Sequence, residues 1–126
     1  MQLKNTYSSF AVRDTAAAET FYRETMGADA KSIMDGTLLD LTLPGSGTHV
    51  MAYQKDDHEP AVFTILNFEV ADVDKAVDEL TAKGVKMARF EGFDQDEKGI
   101  ARGGEGPTIA WFRDPSGNIL AVHSAM

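Results

Sequence analysis

This sequence contains no cysteine. That absence excludes disulfide staples, thiolate metal ligands and thiol nucleophiles together. It suits a reducing compartment, so a cytoplasmic location is expected. Basic residues are also scarce, with 12 Lys and Arg against 20 Asp and Glu, for a formal net charge of −8. Binding nucleic acid requires a cationic face that displaces counterions from phosphates, and none is written here. No apolar run approaches the roughly 18 residues that cross a bilayer, so neither nucleic acid nor membrane is an expected partner. The opening Met1-Gln2-Leu3-Lys4-Asn5-Thr6 lacks the apolar core of a secretory signal. Catalytic signatures are missing as well. No nucleophile elbow occurs, and Gly103-Gly104-Glu105-Gly106 precedes a strand rather than following one, without the lysine of a phosphate loop.

What remains is ordinary globular material. The chain has 126 residues, 43% of them apolar and 25% charged, enough to bury one core without staples. Its most ordered passage runs from Gly106 to Ser124. Two apolar, β-favouring runs, Thr108 to Phe112 and Ile119 to Val122, flank Asp114-Pro115-Ser116-Gly117-Asn118. Proline fixes the first corner of a turn, and Asp, Gly and Asn accept positive φ, so the passage predicts a β-hairpin. A turn over Asp114 to Gly117 would set Trp111 opposite Leu120, Ala110 opposite Ala121 and Thr108 opposite His123.

From the N-terminus, Tyr7 to Arg13 alternates as a strand, with Phe10 and Val12 on one face. Asp14-Thr15 offers N-cap chemistry, Ala18, Phe21, Tyr22 and Met26 fall at helical spacing, and Gly27 ends the helix. Lys31 to Met34 and Thr37 to Leu43 read as strands around an Asp35-Gly36 corner, and Thr48 to Gln54 as a further strand. Lys55 to Pro60 is polar and separates two halves. His58, within it, is expected in solvent.

After this linker the pattern restarts. Phe68, Val70 and Asp72 repeat Phe10, Val12 and Asp14 at a constant offset of 58. Val73, Ala76, Val77 and Leu80 form an apolar helical stripe closed by Lys83-Gly84. Val85 to Phe90 reads as a strand, Glu91 to Gly104 as a long polar connection, and the hairpin completes a second β-α-β-β-β unit. Module one spans residues 5–54, the linker 55–61 and module two 62–125 of a single 126-residue domain.

The Phe112-Arg113-Asp114-Pro115-Ser116-Gly117-Asn118 hairpin and the duplicated Phe-x-Val-x-Asp strands resemble the vicinal oxygen chelate superfamily, which holds lactoylglutathione lyases, extradiol dioxygenases and drug-resistance proteins. The resemblance implies an α+β fold. Two βαβββ modules form an open, cup-shaped, eight-stranded mixed sheet with helices on its convex face. It also implies a small-molecule ligand in the cup and a homodimer.

Metalloenzymes of this kind hold a divalent ion with His and Glu from the first and last strand of each module. Carried onto this sequence, those places fall on Tyr7, Met51, Ile65 and Ala121. Alanine and isoleucine have no lone pair to give, and a thioether is too soft for zinc, iron or manganese. The expectation is therefore that no metal or other cofactor is held. A displaced set of His49, Glu69 and His123, serving a metal-dependent lyase or dioxygenase, is the less favoured alternative. A metal-independent enzyme using His123 or Glu69 as base is another.

The residues expected to line the cup are Tyr7, His49, Met51, Tyr53, Ile65, Asn67, Glu69, Trp111, Ala121 and His123. Arg102 is expected to meet an anionic group. Phe93 and Ile100 would anchor the Glu91–Gly104 stretch as a lid over the mouth.

Overall fold

The computed structural model describes all 126 residues, in two compact units, Met1–Pro60 and Ala61–Met126. In the first, β1 (Ser8–Val12) leads into α1 (Thr15–Thr20), which continues as a π-helical turn over Phe21–Thr25. Asp14 caps α1 from an extended backbone, its carboxylate accepting from the Ala16 and Ala17 N–H groups at 2.9 and 3.4 Å. The chain then forms β2 (Asp29–Ile33), β3 (Leu38–Thr42) and β4 (His49–Gln54). The sheet order is β1-β4-β3-β2, with β1 and β4 parallel and the other pairs antiparallel.

Strand alternation sorts this sheet's side chains onto two faces. Val12, Ala30, Leu39, Leu41, Val50 and Ala52 are buried on the same side as Ala18 and Tyr22 of the helix. Phe10 belongs to that side too, its ring 5.8 Å from that of Tyr22. The β2–β3 corner differs from a two-residue turn. Met34, Asp35 and Gly36 all take positive φ (51°, 55° and 81°), and the strands separate after Ile33↔Leu38. The Thr37 hydroxyl closes this four-residue loop on the Met34 carbonyl at 2.7 Å.

The second unit holds β5 (Thr64–Glu69), α2 (Val73–Ala82), β6 (Ile109–Arg113) and β7 (Ile119–His123). Asp72 caps α2 through the Lys75 N–H at 3.1 Å, as Asp14 caps α1. Val73, Val77 and Leu80 form the buried stripe of α2. The sheet order is β5-β7-β6, with β5 and β7 parallel. A bulge makes Ile65 the extra residue between the Thr64↔Ile119 and Leu66↔Leu120 pairs. Ala110, Phe112, Leu120 and Val122 are almost wholly buried on one face of this sheet, where α2 packs on β6 and β7.

Two strand-level expectations need correction. The closing hairpin pairs Phe112 with Leu120, Trp111 with Ala121, Ala110 with Val122 and Ile109 with His123, one residue out of the expected register. Gly117 takes φ 85° and Asp114 pairs with Asn118, so the turn carries one more residue than a simple four-residue corner. Val85–Phe90 is not a strand either, and only Ala88 bridges to Trp111. The Gln95 side chain occupies the backbone groups a ladder would need. It accepts from the Phe90 N–H at 2.9 Å and donates to the carbonyls of Ala88 and Gly99 at 2.9 and 2.8 Å. The chain is thus α+β with two βαβββ-like modules, seven strands in place of eight. No helix is long and apolar enough to cross a membrane.

Candidate functional site

Each sheet has a face turned away from its helix, and the expected site residues fall largely on these two faces. In the first module the face carries Ser9 and Ala11 from β1, Leu38 and Asp40 from β3, and His49, Met51 and Tyr53 from β4. Ser9 and Asp40 lie opposite Met51, Ala11 and Leu38 lie opposite Tyr53, and Thr42 lies opposite His49. Tyr7 precedes β1 and is exposed. The imidazole of His49 meets the Asp40 carboxylate at 2.8 Å between Nδ1 and Oδ1, with the two side chains 54% and 27% exposed. A carboxylate can only accept, so Nδ1 carries the proton of this bond and Nε2 retains the lone pair of the neutral ring.

In the second module the corresponding face carries Asn67 and Glu69, Ile109 and Trp111, and Ala121 and His123. Asn67 and Trp111 flank Ala121, while Glu69 and Ile109 flank His123. This face is closed by its own loop. Trp111 is only 8% exposed, with Phe90 edge-on at 5.7 Å and Phe93 tilted at 4.7 Å between ring centroids. Ala88, Ile119 and Ala121 complete a buried cluster, with Phe90, Ala101 and Ile109 packed against it. The guanidinium of Arg113 stacks 5.3 Å from the Phe90 ring centre. Buried His123 donates from Nδ1 to the Ser124 carbonyl at 2.7 Å. Asn67 and Glu69 remain exposed.

The parallel ladders place the two modules in correspondence. Ser9 pairs with Met51 as Asn67 pairs with Ala121, and Ser9 and Asn67 are separated by the repeat offset of 58. Met51 and Ala121 therefore hold equivalent positions, as do Tyr53 and His123, and Asp40 and Trp111. A thioether and a methyl group stand where the superfamily's last-strand ligands are expected. Across the chain, no group of three or more His, Asp or Glu side chains is positioned to hold an ion. This donor set does not fit a catalytic divalent metal. In the displaced alternative set, Nδ1 of His49 and of His123 bonds to Asp40 and to a main-chain carbonyl, which leaves Nε2 as the donor on each ring, but no third carboxylate or imidazole is grouped with either.

The long connection in the second module is tied down between Phe93 and Arg102. Arg102 makes a bidentate pair with Asp74 of α2 at 2.6 and 3.0 Å, and a further bond to Asp96 at 3.0 Å. Lys98 pairs with Asp78 at 2.9 Å. The hydrogen bond from Arg102 holds the Asp74 carboxyl below the usual carboxylate range, and the same pairing raises the guanidinium further above its ordinary value. The Ile100 N–H, ahead of Arg102, does the same for Asp96. Arg102, expected to meet an anion, instead ties the connection to α2. Ile100 is wholly buried, and Phe93 lies on Trp111. His58 also departs from expectation. It is 7% exposed, its Nε2 has no hydrogen-bond partner, and its carbonyl accepts from Arg13 at 3.2 Å.

Asp40, which shares this face with His49, belongs to no motif in the sequence. Its signal in the sequence is a lone carboxylate at a polar place of the Leu39-Asp40-Leu41 alternation, with a histidine just past the following Pro-Gly turn.

Residues 6–122 match the model of the Glyoxalase/Bleomycin resistance protein/Dioxygenase superfamily, and the chain belongs to that superfamily. Among solved structures it is similar to the fosfomycin resistance protein FosX of Listeria monocytogenes, with a TM-score of 0.74 and 14% identity over 100% of this chain and 96% of that one. It is also similar to TnmS3, an antibiotic-binding protein from Streptomyces sp. CB03234, with a TM-score of 0.68 and 20% identity over 100% of both chains. A lactoylglutathione lyase from Agrobacterium tumefaciens gives a TM-score of 0.67 and 19% identity over 98% of this chain and 95% of that one. At such identities the likeness establishes the fold and leaves the activity open. No curated protein sequence matches the chain.

Proposed function

We propose that this protein binds a small organic molecule on the exposed face of its first sheet, without a resident metal ion. The observation that carries this reading is the paired replacement of Met51 and Ala121 at equivalent ladder positions, joined by Tyr7 and Ile65 at the first-strand places. A lyase or dioxygenase of this superfamily needs a Lewis acid at those places, and the residues there supply no suitable donor set. The first module's face offers Tyr53, Met51 and Leu38 as apolar ground beside the polar Asp40–His49 pair. That mixture suits an organic ligand with one hydrogen-bonding end. The second module's face is occupied by its own aromatic cluster. The antibiotic-binding and resistance proteins among the similar structures support a sequestering role. The absence of cysteine supports a cytoplasmic setting. Val62 and Phe63, exposed at 94% and 66%, support pairing of two chains.

The test is direct. Elemental analysis of protein purified without chelator is expected to find far less than one divalent ion per chain. Titration with a panel of antibiotics, followed by calorimetry in chelator, is expected to give saturable binding weakened by Tyr53→Ala. A stoichiometric ion lost together with binding on chelation would overturn the reading.

A further inference from the structure

We propose that Asp40 and His49 form a general-base dyad that activates water against a small acyl compound held on the same face. The geometry has the parts such a base requires. Asp40 on β3 and His49 on β4 sit diagonally across one hairpin, set by the pairs Asp40↔Met51 and Thr42↔His49. The 2.8 Å bond fixes the imidazole through Nδ1, so Nε2 keeps its lone pair, and the 54% exposed side chain leaves that nitrogen within reach of solvent. Neither of the other histidines has this arrangement, since both are only 7% exposed and neither touches a carboxylate.

The chemical class follows from a third group. Lys31 lies directly opposite Asp40 in the β2–β3 ladder, on the same face, and no carboxylate lies within ion-pairing distance of its ammonium. A cation there favours negative charge growing on an oxygen, which is what an acyl carbonyl develops under attack. In the step, His49 Nε2 takes a proton from water as the water oxygen bonds to the acyl carbon. The tetrahedral intermediate then expels its leaving group. The imidazolium releases its proton to solvent or to the departing oxygen, returning the neutral base. The net reaction is hydrolysis, with water as the only co-reactant. Asp40 positions the ring and does not touch substrate.

The probe is 4-nitrophenyl acetate, with the full chain in buffer containing chelator. Its hydrolysis yields acetate, 4-nitrophenolate and two protons. The wild-type protein is expected to release nitrophenolate well above the buffer rate, and His49→Gln is expected to reduce the protein-dependent rate by about 100-fold, the ordinary contribution of a positioned base. Asp40→Asn should fall almost as far, because an amide nitrogen can donate to Nδ1 and force the opposite tautomer. Asp40→Glu, which keeps the charge, should recover most of the rate. Nitrogen-15 NMR should find His49 protonated on Nδ1 in the wild type and not in Asp40→Asn, a signature that a merely structural Asp40 would not produce. A wild-type rate equal to buffer would overturn the proposal, as would an unchanged rate in His49→Gln or a His49 ring protonated on Nε2. The antibiotic titration is read without any ester, so failure of the dyad and failure of the binding reading are separable.

Discussion

The two modules share an order of elements and a ladder geometry, yet they treat the face away from the helix in opposite ways. In the first, the equivalent positions hold Asp40, Met51 and Tyr53, and the face stays open with a polar pair on it. In the second they hold Trp111, Ala121 and His123, and Phe90, Phe93 and Ala101 cover them. One change of side chain accounts for much of this. A carboxylate is content in water, whereas an indole left on an open sheet would expose a large apolar area, so burying it stabilises any loop that can reach. A repeated scaffold can therefore leave this face open in one copy and convert it into core in the other.

The sharpest way to break this comparison is at the turns. In the second module Asp114 is 5% exposed, and its carboxylate accepts from the Ser116 and Asn118 N–H groups at 2.8 and 2.9 Å and from the Asn118 side-chain amide at 3.0 Å. Asp114→Ala leaves those donors buried and unmatched, and is expected to cost about 3 kcal/mol in urea unfolding. The matching turn of the first module relies on exposed Ser46, which accepts one bond from Thr48 at 3.2 Å. Ser46→Ala should cost less than about 0.5 kcal/mol. Equal costs would mean that the closed module is not the more tightly specified of the two.

Next in size is the loop that closes the second face. Gln95→Ala removes three hydrogen bonds to the backbone at once and is expected to cost about 2 kcal/mol, with the loss concentrated in residues 85–101. Hydrogen exchange at the Phe90 amide should accelerate strongly while β1 to β4 stay protected. Phe93→Ala is milder, at about 1 kcal/mol for the lost ring contact. Because Trp111 is the only tryptophan, its emission should shift to longer wavelength as water reaches the indole. An unshifted spectrum would show that Phe90 alone provides the cover.

How far these features were legible depends on the range of the interactions behind them. Both helix caps, both apolar helix stripes and the closing hairpin rest on neighbours within a few residues, and Asp14, Asp72 and the Asp114–Asn118 turn announce them. The hairpin register was lost by one position because Gly117 in a left-handed conformation adds a residue that composition cannot count. The missing eighth strand was not legible for a different reason. Val85–Phe90 has strand-like residues, but Gln95 reaches back to take its hydrogen bonds, a competition that period-two patterning does not register. Gly99 belongs to the same device: its φ is 86°, and a Cβ there would sit 3.1 Å from that of Met87. Of the site, the faces followed from alternation, while the Asp40–His49 contact required the β3–β4 register.

The smallest effect separates the modules by charge. Apart from the Asp40–His49 bond, the first module's ion pairs are local, Arg23 with Glu19 one helical turn away and Lys55 with Asp57. The second module instead joins distant elements, with Arg102 and Lys98 of the connection gripping Asp74 and Asp78 of α2. These groups are partly exposed, so salt screens them and their net contribution is small. Their pH dependence still has a definite sign. The Asp74 and Asp96 carboxyls titrate below their ordinary value in the folded chain, so their contribution is complete above the unfolded carboxylate range near pH 4 and is lost as pH falls through the lower folded values. Limited proteolysis within residues 94–102 should therefore quicken as pH falls below about 4, using an acid-active protease, and Arg102→Ala should remove the Asp74 share of that dependence while the share of Asp96, held first by the Ile100 N–H, remains. Cleavage that accelerates equally in the Arg102 variant would assign the acid sensitivity to some other carboxylate and remove the clamp from the account of why this face stays closed.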